Sequence, residues 1–366
     1  MRPRHQRPAV PRRRGGRFQL GRVSVFAGNS RIWCQGDIKM NTTNSLKPIR
    51  PSLIIATQMA LSTARKRDPS LRFILPALRA TQSLLPAAAA AIAERLFSRA
   101  PSGPVSPQGQ AFLARGNRFE LEVDGRRVVG WTWGQGPTTY LVHGWGGCSA
   151  RLYPMGQALI ASGRRLVMFD APGHGESGGG LSSMPEFSRS LQAVVERQGA
   201  PDAVVAHSLG AAATAFAAAS GLSARRFVFL APAANPAEWG RSIGAMLRLD
   251  KGVMRRLRQR SERRLRLKWT DYDARVHARR MSAPLLVIHD HQDETVPFSH
   301  GADIASSWPG ATLIGTTGLG HSDLLRDPFV ISQVLDFVAA GSVADPRAAL
   351  AGEGLEQELF NREQRW

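Results

Sequence analysis

From Phe119 onward the chain alternates short apolar runs with longer stretches of helical period. Phe119 to Val123 alternates apolar and polar positions, Asp124-Gly125 is a hairpin turn, and Arg127 to Trp133 is the return strand. Tyr140 to His143, Leu166 to Asp170, Val204 to Ala206, Phe227 to Leu230 and Leu285 to His289 are apolar almost throughout and flanked by Gly, Pro or charge. That is the pattern of parallel strands buried on both faces. Ala311 to Thr316 is a further strand. Between the runs lie helices: Phe187, Leu191, Val194 and Val195 fall at i, i+4, i+7 and i+8, on one helical face. The alternation predicts an α/β fold with a mostly parallel sheet, which places ligands at the carboxyl ends of its strands.

Upstream the pattern differs. Met1 to Lys39 is rich in Arg, Pro and Gly without periodicity and is expected to lack order. Met40 is a candidate start of translation. Pro51 to Ala100 reads as helical, with Leu75, Leu78, Leu84, Leu85, Ile92 and Leu96 among alanines, and Pro101 to Pro107 as a linker. The expected division is therefore a basic segment at 1–39, a helical extension and linker at 40–110, a main domain at 111–342 and a tail at 343–366.

The net charge of +20 invites a nucleic-acid or membrane reading, but it is local. Met1 to Lys39 holds nine Arg, one Lys and one acid, and a second basic block runs from Arg241 to Arg280. Two cysteines, Cys34 and Cys148, make neither a disulfide framework nor a metal-binding spacing. The N-terminus lacks a signal-peptide pattern, and the most apolar stretch, Leu71 to Ala93, is interrupted by Arg72, Pro76, Arg79 and Pro86. A cytoplasmic location is the expectation.

The strongest chemical signal is Ala206-His207-Ser208-Leu209-Gly210, between a strand and the Ala-rich helix Leu209 to Ala219. A serine on such a turn exposes its hydroxyl above the sheet at a helix N-terminus. The plain alternative is a serine N-cap. Serine needs a base to become a nucleophile, and His321, in Gly318-Leu319-Gly320-His321-Ser322, follows the last strand on a loop that glycines loosen. An imidazole base needs a carboxylate to hold its tautomer. Asp293, a few residues past the strand ending at His289, has room to bend back over the sheet; Asp290 and Glu294 compete for the role. Donors for an oxyanion are expected from the backbone N–H groups of Leu209 and of Trp145, in His143-Gly144-Trp145-Gly146-Gly147.

Five elements now stand in order: His143-Gly144-Trp145-Gly146, Asp170-Ala171-Pro172-Gly173-His174-Gly175-Glu176-Ser177, His207-Ser208-Leu209-Gly210, Asp293 to Pro297, and Gly320-His321. Together they resemble the successive motifs of the α/β-hydrolase superfamily, over roughly Phe119 to Ala340. The one departure is Ala206, where glycine is usual. The resemblance implies an eight-stranded, mostly parallel sheet flanked by helices, and a structural role for the Asp170 to Ser177 loop. It also implies a small helical cap at 233–283. A serine nucleophile separates this chain from the aspartate-dependent dehalogenases and epoxide hydrolases and from the cysteine-dependent dienelactone hydrolases.

The expected activity is cleavage of a carboxylic ester, thioester or amide of a small-molecule acyl substrate through an acyl-enzyme, with no metal or organic cofactor. An acyltransferase with the same triad is the chemical rival. A nucleic-acid or membrane-surface binding protein on a hydrolase scaffold is the rival from another class. The cap block Arg255-Arg256, Arg258, Arg260, Arg263-Arg264, Arg266 and Lys268 is either a solvated helix face or an attractor of anionic substrate or lipid surface; the latter would make it a peripheral membrane contact.

Overall fold

The computed structural model describes residues 80–340 together with 24–27 and 30–32. The expectations for 40–79 and for the tail at 343–366 lie outside the described residues.

Two short strands, β1 (Ser24–Ala27) and β2 (Ser30–Ile32), form an antiparallel pair beside the far edge of the sheet. They correct the expectation of a wholly unordered 1–39: Val25 and Phe26 are strand-favouring residues within the Arg- and Pro-rich segment.

The main sheet begins with β3 (Asn117–Val123) and β4 (Arg126–Trp133), paired antiparallel across Asp124-Gly125. Both turn residues take positive φ, 52° and 71°, as a primed hairpin turn requires. Then come β5 (Thr138–Val142), β6 (Arg165–Asp170), β7 (Ala203–His207), β8 (Arg226–Leu230), β9 (Leu285–Asp290) and β10 (Thr312–Thr316). The order across the sheet is β2-β1-β10-β9-β8-β7-β5-β6-β4-β3. From β6 to β10 every pairing is parallel. The eight strands from β3 to β10 are the sheet that the sequence pattern predicts.

Alternation along the strands divides the core in two. Tyr140, Val142, Val204 and Ala206 face one layer with Phe187, Leu191 and Val194 of α4 (Met184–Gln198) and the alanines of α5 (Leu209–Ala219). Leu141, Ala203 and Val205 face the other, with Met155 and Leu159 of α3 (Tyr153–Ala161) and Val330, Val334 and Val338 of α10 (Pro328–Ala339). α2 (Pro107–Ala114), N-capped by Ser106, also belongs to that second layer through Phe112 and Leu113. α9 (Phe298–Ser307) closes the first layer through Ile304.

Residues 233–283 form three helices, α6 (Pro236–Met246), α7 (Lys251–Leu265) and α8 (Ala274–Ala278). They do not stand alone. α1 (Pro86–Ser98) lies along α7, burying Ala89, Ala90 and Ala93. Small side chains allow the two helices to approach closely. The buried Glu94 of α1 receives Arg260 and Arg264 of α7, each at 3.1 Å. Two cap arginines are thus spent on holding the N-terminal helix in place.

Candidate active site

Ser208 sits between β7 and α5 with φ 54° and ψ −120°, a conformation costly for a residue with a Cβ. Its neighbours make the turn possible. A Cβ on Gly210 would lie 2.4 Å from the His143 carbonyl, and one on Gly144 would lie 2.8 Å from the Ser208 Cβ. Both positions therefore need glycine. Ala206 lies within β7, fully buried and without positive φ, so a methyl group is accommodated where the superfamily pattern has glycine.

The structure brings the three predicted residues together. Ser208 Oγ lies 3.0 Å from His321 Nε2, and His321 Nδ1 lies 2.7 Å from Asp293 Oδ2. The Asp293 carboxylate is saturated. Its Oδ1 accepts the N–H groups of Thr295 and Val296 at 2.8 Å each, and its Oδ2 meets both His321 and, at 3.2 Å, Nε2 of the buried His289. Burial opposes its ionisation, but the hydrogen bonds from His289 and His321 prevail and hold the carboxyl well below the usual carboxylate range. An ionised Asp293 requires His321 to carry its proton on Nδ1, leaving Nε2 free to accept from the serine.

The competing acids are placed elsewhere. Asp290 accepts Thr316 Oγ1 at 2.7 Å, the Leu319 N–H at 3.0 Å and the Gln292 N–H at 2.8 Å, which anchors the loop that delivers His321. Glu294 is exposed.

Leu209 is the first residue of α5, so its N–H has no intrahelical acceptor. In the loop after β5, the Gly147 N–H is bonded to the Gly144 carbonyl and the Gly146 N–H to His174 Nε2 at 3.1 Å. Among the described residues no acceptor engages the Trp145 N–H. Among the described residues the Leu209 and Trp145 N–H groups are thus both without a backbone acceptor. No cluster of three His, Cys, Asp or Glu side chains among the described residues is placed to hold a metal ion.

A model of the α/β hydrolase fold family matches residues 137–267, from the start of β5 through α7 and across Ser208. That match and the order of the strands give the chain the α/β-hydrolase fold. Among solved structures, the esterase Pf2001 of Pyrococcus furiosus is 18% identical, with a TM-score of 0.51 over 66% of this chain and 98% of its own. The esterase RhEst1 from Rhodococcus sp. ECU1013 is 20% identical, covering 60% and 97%, with a TM-score of 0.46. A bromoperoxidase from Bacillus anthracis is 15% identical, covering 61% and 100%, with a TM-score of 0.47. At these identities the likeness is one of fold. No curated protein matches the sequence.

Ser208 and His321 stand at the junction of two cavities. One, of about 480 Å³, is the more polar of the two and reaches Arg151, Tyr153, Asp323 and Arg326. The other, of about 160 Å³, lies under the cap and is walled by Phe97, Trp145, Trp239, Leu265 and Trp269. A third, of about 590 Å³, lies beyond the 143–147 loop and reaches none of the three residues. Phe97 comes from α1, so the N-terminal helix is part of the wall, which the sequence reading missed. The buried Ala89, Ala90 and Ala93 were its only signal.

The 170–177 loop is structural, as the resemblance implies. Asp170 is buried and accepts the Ser149 N–H at 2.7 Å and the Glu176 N–H at 2.8 Å. A Cβ on Gly175 would fall 1.8 Å from its carboxylate. His289 is the residue the sequence reading passed over. It is the penultimate residue of β9, its Nε2–H is shared between the Val296 carbonyl at 3.0 Å and the Asp293 carboxylate at 3.2 Å, and its Nδ1 has no partner among the described residues.

Three further histidines are buried and neutral. His143 accepts the Ala171 N–H and donates to the Gly144 carbonyl, and burial pushes it down to about 4. His174 and His207 are pushed to about 3, first by burial and then by the neighbouring His143 and His321 respectively. In the unfolded chain each titrates near 6.5. Below that pH the unfolded chain takes up protons that the folded chain refuses, so stability is complete above about pH 7 and falls as pH drops toward 4. Asp293 acts in the same sense at lower pH, whereas burial raises Asp170 and works against it. Three histidines at about 1.4 kcal/mol per pH unit, with 2–4 °C per kcal/mol, predict a Tm lower by about 10 °C at pH 5.5 than at pH 7.5. Differential scanning fluorimetry checks this; a Tm level across that range would contradict the neutral assignments.

Proposed function

We infer that this protein is a serine hydrolase that cleaves a carboxylic ester of a small-molecule acyl substrate through an acyl-enzyme. The observation that carries the reading is the unbroken chain Ser208 Oγ, His321 Nε2, His321 Nδ1, Asp293 Oδ2, at 3.0 and 2.7 Å, at the carboxyl ends of β7, β9 and β10. His321 takes the Ser208 proton as Oγ attacks the acyl carbon. The resulting oxyanion meets the N–H groups of Leu209 and Trp145. His321 then gives its proton to the leaving alkoxide, and the acyl group stays on Ser208. Water enters, loses a proton to His321 and releases the acid.

The two cavities supply the selectivity. The apolar one under the cap suits an uncharged acyl chain, and the polar one beside Arg151 and Arg326 suits the leaving alcohol. A carboxylate at the end of the acyl chain would be desolvated among Phe97, Trp239 and Trp269, and the one guanidinium in the lining, Arg264, is already paired with Glu94.

The expected result is turnover of p-nitrophenyl esters with an initial burst of p-nitrophenol equal to the enzyme present. For acyl chains of equal length, kcat/KM should be lower by about tenfold or more when the chain ends in a carboxylate. Turnover without a burst, at a rate indifferent to the ester, would remove the acyl-enzyme from the account.

A further inference from the structure

The cap carries a surface that the reaction does not use. Between Arg248 and Lys268 there are ten basic residues and two acids. Arg258 pairs with Glu262, and Arg260 and Arg264 pair with Glu94. Arg255, Arg256 and Arg263 are exposed, with no acidic partner among the described residues. A helix that only needed solvation would not require cations so little diluted by acids.

The segment packed along this helix carries exposed apolar side chains. Gln82 meets the Arg248 carbonyl and the Asp250 N–H, Glu94 meets Arg260 and Arg264, and Ser98 meets Arg264. The separation in sequence stays between 166 and 170 throughout, so the α1 segment runs parallel to α7 in a fixed register. In that register Leu84 and Leu85 fall beside Lys251, and Ile92 beside Gln259 and Arg260. Leu84 is 81% exposed, Leu85 61% and Ile92 38%. Three of the five large apolar side chains that stand out among the described residues are thus gathered on one segment, next to the cationic helix.

We propose that the α1–α7 face docks on an anionic lipid surface, with Arg255, Arg256 and Arg263 against lipid phosphates and Leu84, Leu85 and Ile92 inserted between acyl chains. Cations beside protruding aliphatic side chains match the two layers of such a surface, charged headgroup and apolar interior. A single-stranded nucleic acid would match the cations but calls for aromatic stacking platforms, and the three apolar residues here are aliphatic. The same two helices wall the apolar cavity at Ser208 through Phe97 and Leu265. Docking by this face would therefore bring the cap side of the site to the lipid. The inference stands apart from the catalytic reading, because binding is measured without turnover.

The test is co-sedimentation of the full chain with phosphatidylcholine vesicles, with and without about two-fifths phosphatidylglycerol, at low and high salt. The wild type should pellet with the anionic vesicles, less at high salt, and poorly with the neutral ones. Arg255→Glu, Arg256→Glu and Arg263→Glu combined should weaken binding by about fivefold or more per site. Leu84→Ser with Leu85→Ser should weaken it by about tenfold or more at either salt concentration. Should charge reversal lower the Tm, the same arginines changed to Gln provide the comparison, with about fivefold loss per site. Because all variants keep residues 1–39, wild-type binding by the Arg variants would overturn the assignment to this face. Unchanged binding by the Leu variant would overturn insertion and leave general adsorption of cations. Binding to an oligonucleotide with none to anionic vesicles would overturn the lipid partner.

Discussion

Ser208→Ala should lower kcat on a p-nitrophenyl ester by about four to six orders of magnitude while leaving KM and Tm nearly unchanged. The substitution removes one oxygen. It leaves the backbone at φ 54°, because alanine has the same Cβ and gains no relief from the strained turn. It also leaves the N–H groups of Leu209 and Trp145 in place, so the residual rate reports oxyanion stabilisation and binding alone. His321→Ala should cost nearly as much, since an unactivated hydroxyl is a poor nucleophile at neutral pH. The two changes together should cost little more than either alone, because each disables the same proton transfer. Stopped assays at high enzyme concentration measure all three. Additive losses would mean that Ser208 and His321 act separately.

Asp293→Asn should lower kcat by about 10⁴-fold, whereas Asp290→Asn should act mainly on stability. Every acceptor position of Asp293 faces an N–H donor: Thr295 and Val296 at Oδ1, His321 and His289 at Oδ2. An amide NH₂ in either orientation is set against donors. The imidazole then moves its proton to Nε2 to accept at Nδ1, and can no longer accept from Ser208. Loss of these buried hydrogen bonds should also cost about 1–3 kcal/mol. Asp290 supports the loop of His321 at one remove, through Thr316 and Leu319. Asp290→Asn should therefore lower Tm by several degrees, for a similar loss of about 1–3 kcal/mol, with a fall in kcat within about tenfold. If Asp290→Asn abolished turnover and Asp293→Asn left it nearly intact, the orienting acid would be Asp290.

Much of this site was legible because its parts are local. The turn at Ser208 needs a strand, a small residue on each side and a helix start, and all of these lie between Ala203 and Ala219. The choice of Asp293 over Asp290 followed from chain reach: Asp290 ends β9 and is consumed by its neighbours, while three more residues return the chain to the top of the sheet. What sequence could not show depends on how the chain folds back on itself, over short and long separations alike. The second imidazole on Asp293 requires β9 and its following loop to fold back on themselves. The pairing of Glu94 with Arg260 and Arg264 joins residues separated by 166 and 170 positions. The β1–β2 pair escapes a reading by composition because its surroundings are so rich in Arg and Pro.

The central claim, that Ser208 is the residue acylated, is tested most directly by labelling the full chain with a fluorophosphonate and mapping the adduct by peptide mass spectrometry. The account predicts one adduct per chain, on the peptide containing Ser208, absent in Ser208→Ala and formed far more slowly in His321→Ala. Labelling of Ser208→Ala at the wild-type rate, or an adduct mapped to another residue, would contradict it.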